Sequence, residues 1–246
     1  MSRTGVRLLI VILALTAVAG ASAPIAAARP GAQDDRPVVQ QVGTYTRLIQ
    51  PDFSAVAPLA EAVDGQTLGL GTFDDLDGEF ILVGGTPYRV GTDGTPREVA
   101  TSRTSPWVQA VTFRAETSVE VPPGMTCAEL ASYIPMVAGT TTGIVAVRVR
   151  GTFSDLVTRS VPAQARPFPT LATVVANQVV FPLGSRRAVL VGFMQGDGMQ
   201  GTGQPGLHLH GVTADRTAGG HVLSCVAGSD VQLSVQRTSG VEVHGH

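Results

Sequence analysis

Three of the five histidines in this 246-residue chain, His208, His210 and His221, fall within fourteen residues near the C-terminus. Imidazoles at positions i and i+2 of a strand project from the same face, because side chains alternate there with a period of two. The run Thr213–Gly220 is polar and glycine-containing, a turn signal, and Val222 and Leu223 restart an apolar strand. A hairpin over this segment returns His221 beside the first pair. Three neutral imidazoles on one rigid face, with an open fourth position, form the ligand set of a catalytic zinc or related divalent metal. A chance cluster of surface histidines fits the same spacing, so the spacing alone leaves both readings open. His244 and His246 lie in the terminal tail.

What such a metal could be for is narrowed by an absence. The chain has no lysine, and all 17 basic residues are arginine. Schiff-base chemistry through lysine, including pyridoxal phosphate, is thereby excluded. For a carbanion or enolate formed here, a metal ion is the natural electron sink. No Gly-x-Ser-x-Gly elbow and no phosphate-binding Gly-rich loop with Lys-Ser/Thr is present, so hydrolase and nucleotide readings have no support. A cupin-like metal oxygenase also opens with Pro-Gly-x-His-x-His. That motif expects a glutamate about four residues after the second histidine, and here Ala214 and Asp215 occupy the region.

The elements that must position these residues are strands. Hydrophobic content is 43%, charged content only 15%, and 29 glycines and 16 prolines punctuate the chain, a composition of strands and turns rather than helical bundles. The net charge of −2, with no basic stripe, argues against nucleic-acid binding. Arg3 and Arg7 precede an apolar run from Leu8 to Ala21 and small residues through Ala28, the order of a secretory signal peptide. The run is short for a membrane span. We therefore expect a signal peptide at 1–28, a flexible leader at 29–41, a secreted mature protein and no membrane contact after cleavage. In an oxidising compartment Cys127 and Cys225 could pair, or Cys225 could be a buried thiol. Cys225 is about 13 Å along the strand from His221, too far to share its metal.

Along the mature chain, residues 53–63 suggest a short helix around Pro58, and Glu79–Val83 reads as a strand. Residues 107–114 alternate like another strand. Thr126 and Glu129 form a capping box for a helix over 127–134. From 143 onward strands dominate, with Val145, Val147 and Val149 on one face and Arg148 and Arg150 on the other. Residues 162–170 must be extended, because three prolines exclude regular helix, and 186–193 reads as a buried strand. A Gly-rich loop at 196–206 leads into His208, and the alternating stretch 231–236 is expected at a sheet edge. The fold class expected is mixed α+β, with antiparallel-rich sheets, few helices and two sub-domains, 42–140 and 141–246.

Four blocks, in order, resemble the alpha-acetolactate decarboxylase family: LGLGTFDDLDGE (68–79), RGTFSDLVTRSVPAQ (150–164), VLVGF (189–193) and the histidine segment PGLHLH…DRTAGGHVL (205–223). The resemblance covers roughly residues 40–243. It implies a zinc-dependent decarboxylase that converts 2-acetolactate, a small 2-hydroxy-3-oxo acid, to acetoin, the metal stabilising an enediolate intermediate. It implies Zn2+ held by His208, His210 and His221, with Glu79 and Arg159 as catalytic residues lining the site. Thr72 matches a substrate-binding position, Arg159 is a second such position, and a homodimer is implied as well. Leu207 and Gly211 stand where the family commonly has aromatics, which implies a wider pocket wall. The resemblance also implies an acidic C-terminal tail that supplies a carboxylate; the sequence given ends at His246, and Glu242 does not align with that residue. A secreted zinc-binding homologue with lost or reduced activity is therefore the alternative expectation.

Overall fold

The structure, a computed structural model, describes residues 34–245. The signal-peptide segment and residues 29–33 of the leader lie outside the described residues. The first half of the chain runs β1 (Val38–Val42), α1 (Tyr45–Ile49), β2 (Ala57–Pro58), α2 (Ala60–Val63), β3 (Leu68–Thr72), β4 (Glu79–Val83), β5 (Thr86–Val90), β6 (Pro96–Glu98), β7 (Thr104–Ser105), β8 (Val108–Val111) and β9 (Thr117–Glu120). The second half runs α3 (Cys127–Ala138), β10 (Ile144–Ser160), α4 (Leu171–Ala176), β11 (Val179–Pro182), β12 (Arg186–Gln195), β13 (Gly206–Thr213), β14 (Gly219–Ala227), β15 (Gln232–Arg237) and β16 (Gly240–His244). The fold is α+β with antiparallel-rich sheets and few helices.

Two seven-stranded sheets carry the structure. The first has the order β16-β1-β8-β3-β4-β5-β6, and only its β1–β16 pair is parallel. The second has the order β12-β13-β14-β10-β15-β9, with β11 added on β10 and a further β12–β10 pairing. That extra pairing closes β10, β12, β13 and β14 into a ring. The seventeen-residue β10 makes this possible by changing neighbours along its length. Its first part pairs with β12 and β15, its second with β14 and β11. The crossing lies at Gly151, where φ is +149° and a Cβ would come within 2.6 Å of Val231 Cα. Only glycine fits so close a backbone approach.

Period-two alternation sorts the apolar side chains into three layers. Leu68, Leu70 and Ile81 of the first sheet meet Ala146, Val191 and Phe193 of the second in the central core. On the outer side of the first sheet, Phe80, Leu82 and Val108 pack beneath Ala62 and Val63 of α2. On the outer side of the second, Val145, Val147 and Val149 pack beneath Leu130 and Ile134 of α3. The chain does not fill the layers in strict halves. β16 returns to the first sheet, and β9 and α3, from before residue 140, pack on the second.

Local readings can be compared element by element. Glu79–Val83 is a strand as read. The capping box at Thr126 and Glu129 forms, and α3 continues through Pro135 to Ala138, four residues beyond the expected end. Gly139, at φ +65°, then terminates it. Segment 231–236 is not an edge, because β15 lies between β10 and β9. Its alternation reports one face on α3, which an interior strand shares with an edge strand. Cys127 and Cys225 are joined in a disulfide across 98 residues, tying the first turn of α3 to β14.

Candidate metal centre and substrate cavity

The hairpin of β13 and β14 pairs His210 directly with His221. His208 and His210 share strand parity with Val212 and so face the first sheet, while Leu207 and Leu209 pack on the α3 side. His208 Nε2 lies 3.1 Å from His210 Nε2 and 3.0 Å from His221 Nδ1. One nitrogen from each ring falls within 4.8 Å of the others. Gly220 permits this approach: its φ is +135°, and a Cβ there would come within 2.4 Å of the Arg159 carbonyl oxygen.

The protonation pattern follows from the partners. His210 Nδ1 lies 2.8 Å from the Phe80 carbonyl oxygen. A carbonyl only accepts, so Nδ1 carries the proton and Nε2 presents its lone pair. Burial pushes His208 and His221 well below the usual histidine range and His210 down to about 3, with the nearby Arg159 charge acting in the same direction. All three rings are therefore neutral at pH 7, the form that binds metals.

The residues fit a metal ion on two further observations. The three rings crowd nitrogen on nitrogen in a buried space, where a hydrogen-bond network would leave lone pairs opposed. Glu79 Oε2 also stands 3.3 Å from His210 Nε2, so the ionised form of this carboxylate faces an imidazole lone pair. A cation relieves both contacts, and the backbone bond at Nδ1 is the outer support expected of a ligating histidine.

Glu79 and Arg159 come from different sheets and meet here. Glu79, first residue of β4, is 4% exposed. Its Oε1 accepts a 2.5 Å hydrogen bond from Arg159 Nη1, across 80 residues of sequence. Burial pushes the Glu79 carboxyl up, and the Arg159 charge opposes that shift. Arg159 stands opposite His221 in the β10–β14 register, and its Nε is buried without a hydrogen-bond partner among the described residues. Thr72 lies opposite Glu79 in the β3–β4 ladder. Its hydroxyl donates to the Gly78 carbonyl at 2.8 Å.

All six of these residues line one cavity of about 320 Å³. Leu171, Val174 and Val175 of α4 provide its apolar side. A family model for alpha-acetolactate decarboxylase matches residues 39–245. The chain is 34% identical over 186 residues to the alpha-acetolactate decarboxylase of Methanosarcina mazei, covering 76% of this chain and 65% of that relative. It is 31% identical over 196 residues to the one from Bacillus subtilis strain 168, covering 79% and 77%. The crystal structure of alpha-acetolactate decarboxylase from Bacillus subtilis strain 168 superposes with a TM-score of 0.79 at 28% identity, over 84% of this chain and 88% of that one. The chain belongs to the alpha-acetolactate decarboxylase family.

Within this family frame, two wall residues were not singled out by the sequence reading. Trp107, the single tryptophan, lies parallel to the His208 ring, 2° between planes and 5.6 Å between centroids. Tyr45 meets Trp107 edge-on at 5.8 Å. Both line the cavity. The expected widening at Leu207 does not arise there, because that side chain packs against the α3-side core. Gly211 is likewise set by packing, since a Cβ would lie 2.4 Å from Leu190 Cδ2. The rarity of tryptophan could have flagged Trp107; nothing local could have flagged Tyr45.

Proposed function

We propose that this chain holds Zn2+ through His208, His210 and His221 and decarboxylates 2-acetolactate to acetoin. The observation that carries this reading is the convergence of three neutral imidazoles with the Glu79–Arg159 pair in one cavity. Four-coordinate sites with three protein nitrogens and an open position suit Zn2+. When bound, the cation supplies a Lewis acid for the negative charge that departure of carbon dioxide leaves on the ketone oxygen. Arg159 attracts and orients the substrate carboxylate, and its contact with Glu79 fixes the guanidinium in place. The bond between the carboxylate carbon and C2 breaks, its electron pair passes toward the ketone oxygen, and C2 then takes a proton. Arginine is a poor acid. Glu79 is the better proton carrier, since burial raises its carboxyl toward the working range. Incubating the zinc-loaded protein with racemic 2-acetolactate should yield acetoin above the spontaneous rate. Stoichiometric zinc with no acetoin above that rate would remove the reaction assignment.

The same reading includes export. The apolar segment after Arg3 and Arg7 and the Cys127–Cys225 disulfide both support a location outside the reducing cytosol. Fractionation of the producing cells, with sequencing of the mature N-terminus, tests this.

Burial moves the pH window of metal binding. Three ordinary histidines with pKa near 6.5 would weaken Zn2+ binding about a thousandfold at pH 5.5, a factor of ten per ligand. Here the folded-state values are depressed, so protons compete only at lower pH. Competition titrations at pH 7.5 and 5.5 should differ by less than about tenfold. The linkage appears instead in the stability of the metal-free protein. Unfolded histidines bind protons below about 6.5 while the folded ones do not. Metal-free stability is therefore full above pH 6.5 and declines as pH falls toward 3, which urea unfolding at several pH values would show.

A further inference from the structure

Tyr45 is a polar residue of the cavity wall with no role in the chemistry above. It opens α1, and the residue is held by one backbone hydrogen bond and one aromatic contact. Its N–H donates to the Thr202 carbonyl at 3.1 Å, which also accepts from the Trp107 indole N–H at 3.2 Å. Its ring abuts Trp107, and Trp107 in turn lies against His208. The phenol hydroxyl, by contrast, makes no hydrogen bond among the described residues. A half-buried hydroxyl on a rigid ring, in a cavity, without a partner, is a donor prepared for a ligand.

The chemistry of that ligand follows from the neighbours. Arg159 is the one arginine on the cavity wall, and its charge reaches the Tyr45 phenol, where it opposes the upward push of burial. The net direction remains upward, so the hydroxyl stays protonated and donates. Tyr45 and Arg159 line the same cavity as the three histidines, so both donors serve one enclosed space. With the hydroxyl and ketone oxygens of a 2-hydroxy-3-oxo acid directed to the three imidazoles, its carboxylate is the group left for these donors.

We propose that the Tyr45 hydroxyl is a substrate-contacting donor that, with Arg159, holds the carboxylate of the substrate before it is lost. The assignment rests on the decarboxylase reading for its substrate. It carries a kinetic sign of its own. Charge leaves the carboxylate as carbon dioxide forms, so a hydrogen bond to that group is stronger in the ground state than in the transition state. Such an interaction lowers KM without raising kcat.

Tyr45→Phe keeps the ring against Trp107 and removes only the hydroxyl. In the zinc-loaded protein, with metal content equal to wild type, KM for 2-acetolactate should rise about ten- to hundredfold, the worth of a hydrogen bond to a charged group. The value of kcat should not fall, and it rises to the extent that the bond weakens on the way to the transition state. Calorimetric affinity for 2-hydroxy-2-methylpropanoate, which carries the carboxylate, should fall by the same factor as KM rises. Affinity for acetoin, which lacks it, should not change. Unchanged KM and unchanged carboxylate affinity would overturn the assignment, as would equal weakening of both ligands, the mark of a disturbed wall. If wild type forms no acetoin, the decarboxylase reading fails separately, and the two binding measurements decide Tyr45. Selective loss of the carboxylate ligand then supports it, and equal affinity or no binding in both proteins overturns it.

Discussion

His208→Ala should leave a folded protein that cannot retain a stoichiometric metal ion. His208 Nε2 is the shared vertex of the cluster, touching the ligating nitrogen of both other rings. Removing it leaves His210 and His221 as two donors, too few for a three-nitrogen site. Outer supports of metal ligands alone are worth ten- to a hundredfold in affinity, so loss of a ligand should exceed about a hundredfold. Acetoin formation should fall to the spontaneous rate together with the metal. The fold should survive, because His208 is not an ideal core residue: its Nδ1 is buried without a partner among the described residues. Deleting the ring forfeits stacking on Trp107 but also removes that orphan atom. Metal content after dialysis, beside circular dichroism, checks both parts. His244→Ala serves as a control, since His244 bonds Gln40 at the β1–β16 edge. Metal retained at wild-type stoichiometry by His208→Ala would contradict three-histidine ligation.

The histidine site was legible in the sequence because its geometry is local. Two residues of one strand and one residue across a hairpin need only period-two alternation and a turn to converge, and β13 and β14 supply both. The strand at Glu79–Val83 and the cap of α3 were legible for the same reason. The Glu79–Arg159 contact was not. No rule of alternation or turn chemistry joins residues 80 apart on different sheets; only the face-to-face packing around Leu70, Ile81, Ala146 and Phe193 does. Those two positions were reachable beforehand through family resemblance alone. The short helix α4, six residues capped by Thr170, follows an extended proline-rich stretch that masks it. Its apolar residues line the cavity at the margin of the central core, and six residues are too few for a helical period to register. Tyr45 and Trp107 belong to the same class: their importance lies in what the second sheet sets opposite them.

Arg159→Met should separate the metal from the chemistry. The guanidinium touches no histidine ligand atom through a hydrogen bond, so zinc stoichiometry should match wild type. Turnover should not. The substrate carboxylate loses its countercharge, so kcat/KM should fall about a hundredfold or more, mainly through a raised KM. Stability should suffer too. Glu79 and Arg159 side chains are 5% and 13% exposed, and removing one partner of a buried pair costs about 3–5 kcal/mol, because the other charge is left uncompensated. Adding Glu79→Gln to Arg159→Met should recover part of that loss, since the double variant buries no orphan charge. The sign with pH follows. In Arg159→Met the Glu79 carboxyl loses the charge that opposed its upward shift. The folded protein then takes up a proton more readily than the unfolded chain, and stability rises as pH falls through that raised value. Arg159 also helps hold the three histidines down, so its removal eases their protonation in the folded variant and moves the difference in the same direction. Wild type and Arg159→Met should therefore converge in unfolding free energy as the solution is acidified from pH 7. A constant gap would mean that the pair is stabilised by packing of the arginine stem rather than by charge, and loss of zinc in the variant would make Arg159 a support of the metal centre.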